Sequence, residues 1–321
     1  MFQVNTSAKM EGLIVTLTIN PAIDHNVIAD RLVFEDRAYI LSTSDAAGGR
    51  GINASCVVNS FGGKTLAIVT SGGQSGERLQ KFLCGCGFPV EVVPIGNEIR
   101  TNLTITDRQG LTVKLNHPGP PLTKEELDRV EATVERKLAG ASWLMICGSV
   151  PPGVPAGFYS KLVRMAREHG VQSLLDTDGE ALIEGVEAGP TVVAPNQQEA
   201  ERLLNAALIT RSHFLEAATR IRQMGAGSVI LSLGSRGAIG ANERGIVEVV
   251  PPRVDAVCPI GAGDALAAAF VWAMDNQPDF ADALRWGVAA GSASARLPGV
   301  TFASLAQTKE IYPRVEVREG K

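Results

Sequence analysis

The chain has 321 residues, with 30 lysines and arginines against 34 aspartates and glutamates, a formal charge of −4. Apolar residues make up 45% and charged residues 20%, which sets disorder aside, and the lack of a basic excess argues against nucleic acid as a partner. No uninterrupted apolar run reaches membrane-spanning length, so no membrane partner is expected.

The skew in composition is glycine, 34 residues against an average of about 7%. Residues 1–9 are polar and lack the apolar core of a signal peptide. The cysteines, Cys56, Cys84, Cys86, Cys147 and Cys258, are odd in number and scattered. They suit neither a disulfide framework nor a zinc site, and a cytoplasmic protein is expected.

In chain order, residues 13–19 (LIVTLTI) form the first strand candidate. Residues 23–44 lack helical caps and carry β-prone stretches. A glycine cluster at 48–51 leads into a helix expected over 53–61, and 66–70 (LAIVT) reads as a strand. Residues 103–115 (LTITDRQGLTVKL) are two alternating strands around a turn, a hairpin signal. Thr123 and Glu126 form a capping box ahead of a helix to about 138. Strands follow at 143–147, 173–176, 191–194 and 229–233, and helices at 155–169, 196–205, 212–224 and 263–274. Apolar runs without alternation suit strands covered on both faces, and the repeated β-α rhythm predicts an α/β fold with a mainly parallel sheet. The two segments that break the rhythm can pair as a small separate sheet, an arrangement often used as a lid over a ligand.

The cluster Gly48-Gly49-Arg50-Gly51-Ile52-Asn53-Ala54 contains a formal G-x-G-x-x-A. It follows no buried strand, and no acidic residue closes a second strand about 20 residues on, so a dinucleotide site fails on context. The remaining readings are a structural turn, or a loop whose N–H groups and Arg50 face a ligand. Gly63-Lys64-Thr65 imitates the end of a P-loop, but Val58 stands where its first glycine is required. Gly261-Ala262-Gly263-Asp264 runs straight into an alanine-rich helix. Such a helix start presents several N–H donors to one point, and Asp264 is either an ordinary dipole-stabilised acid or a base beside an anion hole. Phosphoryl transfer needs both an anion cradle and a group that orients the attacking hydroxyl.

GAGD followed by a small-residue helix resembles the second signature of the ribokinase-like (PfkB) carbohydrate kinases, and GGRGIN resembles their first, usually GGKG-x-N. The resemblance continues in order through residues 16–24 (TLTINPAID), 100–102 (RTN), 148–153 (GSVPPG), 176–179 (DTDG), 196–199 (NQQE) and 232–238 (SLGSRGA). It covers roughly residues 13–300. NPAID, Arg100-Thr101-Asn102 and the charge at Arg50 place it nearest the 1-phosphofructokinase and tagatose-6-phosphate kinase branch.

The resemblance implies one ribokinase-like domain over residues 1–321, with a β-sheet lid from segments about 23–45 and 99–117. It makes Asp264 the general base and the N–H groups of Gly261, Ala262 and Gly263 the anion hole. Asn196 and Glu199 would organise Mg²⁺, through water, although Asn196 equally reads as a helix cap. Asn196, Ser232, Gly234 and Gly237 would hold ATP. Asp24, Gly48, Gly49 and Asn53 would meet the sugar, with Arg100 as the foremost phosphate ligand and Arg50 and Arg37 behind it. Fructose 1-phosphate, fructose 6-phosphate and tagatose 6-phosphate are the implied acceptors, and a homodimer through the lid is implied as well. A neutral sugar or nucleoside as substrate, or a silent sugar-binding regulator, are the alternatives. Three departures from the family bear on the sugar: Arg50 for lysine, Ala194 for a lysine, and Cys258-Pro259-Ile260 ahead of GAGD.

Overall fold

The structure, a computed structural model, describes residues 12–33 and 35–320. The polar segment 1–9, expected to lack a signal sequence, lies outside the described residues. In chain order the elements are β1 (Leu13–Thr18), β2 (Ala22–Ala29), β3 (Ile40–Gly48), α1 (Arg50–Ser60), β4 (Thr65–Ser71), α2 (Gly73–Cys84) and β5 (Val90–Pro94). Then come β6 (Arg100–Asp107), β7 (Thr112–Leu115), α3 (Lys124–Leu138), β8 (Ala141–Cys147), α4 (Gly157–Glu168), β9 (Gln172–Asp176), α5 (Gly179–Glu187) and β10 (Val192–Val193). The last are α6 (Gln197–Leu204), α7 (Arg211–Gln223), β11 (Ser228–Ser232), β12 (Ala238–Asn242), β13 (Gly245–Val250), α8 (Ala262–Asn276), α9 (Phe280–Ser294), α10 (Leu305–Ile311) and β14 (Glu316–Glu319).

Ten strands form one sheet in the order β14-β13-β12-β11-β10-β9-β8-β1-β4-β5. From β11 to β5 every pairing is parallel, and β12, β13 and β14 add an antiparallel edge. The fold is therefore α/β with a mainly parallel central sheet. Alternate side chains feed two separate cores: Val15, Leu144 and Ile146 enter one, and Ile14, Trp143 and Met145 the other. Helices α2 to α5 and α7 cover the first face through residues such as Leu79, Val134 and Tyr159; α1, α8 and α9 cover the second through Val57, Phe270 and Leu284. This two-sided burial is why the strands read as unbroken apolar runs.

The four remaining strands form a second sheet, β3-β2-β6-β7. Both segments that broke the β-α rhythm are in it. The expected hairpin is the β6/β7 pair, its turn tied by Asp107 Oδ1, which accepts from the N–H groups of Gln109 and Leu111. Strand β2 pairs parallel with β6, so Asp24 lies opposite Asn102 and Ala22 opposite Arg100.

The helix after the first glycine cluster starts earlier than expected, at Arg50 and not at Asn53. Gly49 caps it with φ 147°, a conformation that glycine tolerates, so Arg50 and Gly51 already sit in the first turn. Helix α8 is set by its packing on α9. A Cβ on Gly291 would lie 2.8 Å from the Ala262 carbonyl oxygen, and one on Gly287 2.7 Å from that of Leu266. The two backbones approach closely because α9 has no side chains there, and this contact seats the first turn of α8.

Candidate active site

Chemistry-bearing side chains collect at the carboxyl ends of the parallel strands, where open α/β sheets place their ligand crevices. Thr18 and Asn20 close or follow β1, Ser149 follows β8, Asp176 and Asp178 close or follow β9, Asn196 follows β10 and Ser232 ends β11. Among the cavities that open there, two bring these side chains together with the glycine-rich start of α8 and the small sheet. The first, about 250 Å³, is walled by Thr18, Asn20, Asn53 and Ser149 from the main sheet side and by Asp24, Arg100, Asn102 and Lys114 from the small sheet. The second, about 330 Å³, lies between Asn196 and Ser232 on one side and Gly261, Gly263 and Asp264 on the other.

The first cavity is polar and incompletely hydrogen-bonded. Asn102 Nδ2 donates to Asp24 Oδ1 at 2.9 Å. Gly48 leaves room for that carboxylate, since a Cβ there would lie 2.5 Å from it. Among the described residues, Thr18 Oγ1, Asn20 Oδ1, Asn102 Oδ1 and Arg100 Nε are buried without a hydrogen-bond partner, and all four residues line this cavity. A buried polar atom left unpaired costs about 1–3 kcal/mol, so a concentration of them marks a place where a polar ligand supplies the missing bonds. Arg100 is held from two sides, by Nη1 donating to the His117 carbonyl at 2.8 Å and Nη2 to that of Asn20 at 2.9 Å. Burial lowers its pKa, opposed by the charge of Asp24. Its Nε–H has no acceptor among the described residues.

At the second cavity, Gly261 caps α8 in the left-handed conformation, φ 79°. Of the three N–H groups expected to form an anion hole, that of Ala262 donates to the Pro259 carbonyl at 3.2 Å and is held in the turn. Helix geometry leaves the N–H groups of Gly263 and Asp264 without intrahelical acceptors. Space beside Gly263 is open: apart from its own helix, no described residue has an atom within 4 Å of a Cβ position there. Asp264 accepts from Asn53 Nδ2 at 2.7 Å. Burial pushes its pKa up to about 7, and the negative charge of Asp176 adds to this; the Asn53 hydrogen bond and the Arg50 charge pull the other way. A carboxylic acid near neutrality can take and return a proton at physiological pH.

Arg50 stands where the two cavities meet and lines both. Its Nη1 is 2.7 Å from Asp176 Oδ1, and its Nη2 is 3.1 Å from both Asp178 Oδ2 and Glu199 Oε1. The guanidinium is thus engaged by three carboxylates, and their charges raise its pKa. Burial raises the pKa of Glu199, and Arg50 opposes that rise.

Asn196 and Glu199 form a reciprocal capping box: Glu199 N–H donates to Asn196 Oδ1 at 2.9 Å, and Asn196 N–H to Glu199 Oε2 at 2.8 Å. With one Glu199 oxygen on the cap and the other on Arg50, the pair suits a divalent ion only through water. Mg²⁺ ordinarily keeps several waters and is held by one or two carboxylates plus substrate phosphates, so the donor set fits an ion that arrives with a nucleotide. Among the described residues no group of three or more His, Cys, Asp or Glu side chains could hold a metal by itself.

Other expected residues are less central. Ser232 lines the second cavity, with its N–H on the Pro195 carbonyl at 3.0 Å. Gly234 and Gly237 bound the short turn after β11 with φ 60° and 98°, beyond the walls of both cavities. Arg37 lies exposed in the connection from β2 to β3 and reaches neither cavity. Ala194 lines the second cavity, and the Cys258 segment hangs from the Ala295 carbonyl by the N–H groups of Val257 and Cys258. Asp176, Asp178, Asn20, Asn102, Ser149 and Lys114 carry no individual role in the sequence expectations. All but Lys114 sit within the quoted motifs, which was the available signal. Lys114 has no motif and reaches the site only through the β6/β7 hairpin.

Comparison with known proteins identifies the family and the fold. The family model described as pfkB family carbohydrate kinase matches residues 14–307. The ATP-dependent 6-phosphofructokinase isozyme 2 of Escherichia coli is 32% identical over 302 residues, covering 93% of this chain and 97% of that protein. The 1-phosphofructokinase of Borreliella burgdorferi is 29% identical over 284 residues, 88% of this chain and 92% of its own. Among solved structures, phosphofructokinase-2 from Escherichia coli in complex with potassium superposes with a TM-score of 0.88 at 31% identity, over 94% of this chain and 99% of that one.

Proposed function

Because this chain belongs to the pfkB family of carbohydrate kinases, we propose that it transfers the γ-phosphoryl group of ATP to a hydroxyl of a ketose phosphate. Fructose 1-phosphate, fructose 6-phosphate and tagatose 6-phosphate are the candidate acceptors. The observation that carries this reading is the junction of a hydroxyl-binding cavity and a helix N-terminus at one titratable carboxylate, Asp264.

The sugar occupies the first cavity, where Asp24 and the unpaired Thr18, Asn20 and Asn102 oxygens accept from its hydroxyls. Its phosphate meets Arg100, whose free Nε–H and anchored Nη atoms favour an anion over a neutral group. The ATP phosphates occupy the second cavity, beside Ser232 and Asn196, with the γ-phosphate against the Gly263 and Asp264 N–H groups. When bound with ATP, Mg²⁺ supplies charge neutralisation at the phosphate oxygens, held through water by Glu199 and Asn196. Asp264 takes the proton of the acceptor hydroxyl, and Asn53 keeps its carboxylate aimed across the boundary. The small sheet acts as a lid that excludes water. Eight of the exposed large apolar residues, Ile28, Val33, Tyr39, Ile40, Leu41, Leu111, Val113 and Leu115, lie on that sheet or in its connections. This supports a homodimer formed through the lid.

The test is an ADP-release screen with Mg-ATP over free and phosphorylated ketoses. Turnover on a ketose phosphate and none on free sugars is expected; preference for a free sugar or nucleoside would replace the acceptor, and no turnover on any would leave a silent binding protein.

A further inference from the structure

We infer that Lys114 is a catalytic residue, whose ammonium meets the phosphoryl group as it passes from the second cavity to the first. The inference rests on the kinase reading above. Lys114 lies on β7, opposite Thr104 of β6, and lines both cavities. Only Arg50 and Ile260 share that position among the described residues.

Charge at the junction gives the position its meaning. Asp176, Asp178, Glu199 and Asp264 bring four carboxyl groups to one place, and Arg50 is the single guanidinium among them. Its guanidinium is held by three of these acids, which take three of its five N–H donors. Arg100 is committed to two backbone carbonyls and does not line the second cavity. Lys114 is exposed, and among the described residues its side chain has no ion pair or hydrogen bond. Among the described residues it is the one cation lining both cavities whose side chain has no ion pair or hydrogen bond.

The phosphoryl group in transit carries charge on three equatorial oxygens, and little covalent work is left to the protein beyond positioning and charge stabilisation. A lysine suits that moment, because its flexible four-carbon stem ends in a point charge with three donors. In the step, the acceptor oxygen forms the new O–P bond while its proton passes to the Asp264 carboxylate. The bond from phosphorus to the bridging oxygen breaks, and its electron pair leaves with ADP. Lys114 stays protonated throughout. The placement on the small sheet also ties charge stabilisation to the element that walls the sugar cavity.

The test compares Lys114→Met, Lys114→Gln and Lys114→Arg with the unaltered chain, using steady-state kinetics on the preferred acceptor and calorimetric binding of each substrate. Lys114→Met and Lys114→Gln are expected to lower kcat and kcat/KM together by about 10²-fold, the mark of an interaction made in the transition state. Substrate binding stays within about threefold, and Lys114→Arg recovers most of the rate. Unchanged kcat, or a loss confined to KM, would overturn the inference. Lys114 is exposed on a strand, so folding of the variants is checked by melting temperature; should one fail to fold, the other two decide. An unaltered chain without turnover on any ketose phosphate overturns the kinase reading and this inference together; an active chain indifferent to Lys114 overturns this inference alone.

Discussion

Asn53 and Asp264 are 211 residues apart in sequence, and the 2.7 Å hydrogen bond between them crosses the boundary of the two cavities. Asn53 belongs to the first turns of α1 and is buried; Asp264 belongs to the first turn of α8. The bond orients the carboxylate and favours its charged form, against burial and the nearby charge of Asp176.

Replacing Asn53 by alanine removes the donor and lets the Asp264 pKa rise above about 7. The deprotonated base is then scarcer at neutral pH. The acid limb of the kcat profile should move to higher pH, with activity recovering in part near the alkaline end. A limb that stays in place would show that the bond does not govern the base.

Asp264→Asn should lower kcat by about 10²–10⁴. The same variant has a stability signature of opposite sign. The folded-state pKa of Asp264 is raised from 3.8 to about 7, so the folded protein binds this proton more tightly than the unfolded chain between those values. Stability contributed by the protonated acid is complete below the unfolded value and is lost as pH rises through about 7. Asparagine removes that penalty, and its melting temperature should exceed that of the unaltered chain at pH 8, the gap closing in acid. Equal melting temperatures at pH 8 would contradict the raised pKa.

On the proposed reading, Arg100→Ala should raise KM for the sugar phosphate and leave KM for ATP unchanged, because Arg100 lines the first cavity and not the second. The check is parallel kinetics with a phosphorylated and a free ketose. Equal losses on both would point to a neutral substrate.

Arg50→Met leaves Asp176 and Glu199, both largely buried, without their counter-ion. The side chain of Arg50 is itself 29% exposed, so the expected loss is about 2 kcal/mol, below the ~3–5 of a fully buried pair. Thermal or urea unfolding measures it. Arg50→Lys keeps the charge but reaches fewer carboxylates at once, and should fall between. A lysine variant as stable as the arginine chain would mean that charge alone holds the cluster.

Local physics made much of this molecule legible. The capping boxes at Thr123 and at Asn196 are formed by residues three apart, and both are present. Strand β1 was visible as an apolar run because both its faces are covered. The start of α1 was displaced because it turns on the φ of Gly49, which no side-chain pattern reveals. Helix α9, rich in alanine and glycine, carries little periodic contrast, yet its Gly291 is what lets α8 sit where it does.

The sequence by itself determined the α/β class, the family resemblance and the candidate roles of Asp264, Asn53 and Arg100, since each is carried by residues adjacent in the chain. Tertiary structure alone decided what those residues meet. The partners of Arg50 lie 126, 128 and 149 positions away, and Lys114 arrives on a separate sheet. Pairings at such distances depend on strand order and helix packing, and the charge state of Asp264 depends on them in turn, because electrostatic shifts are set by distance in space and by burial.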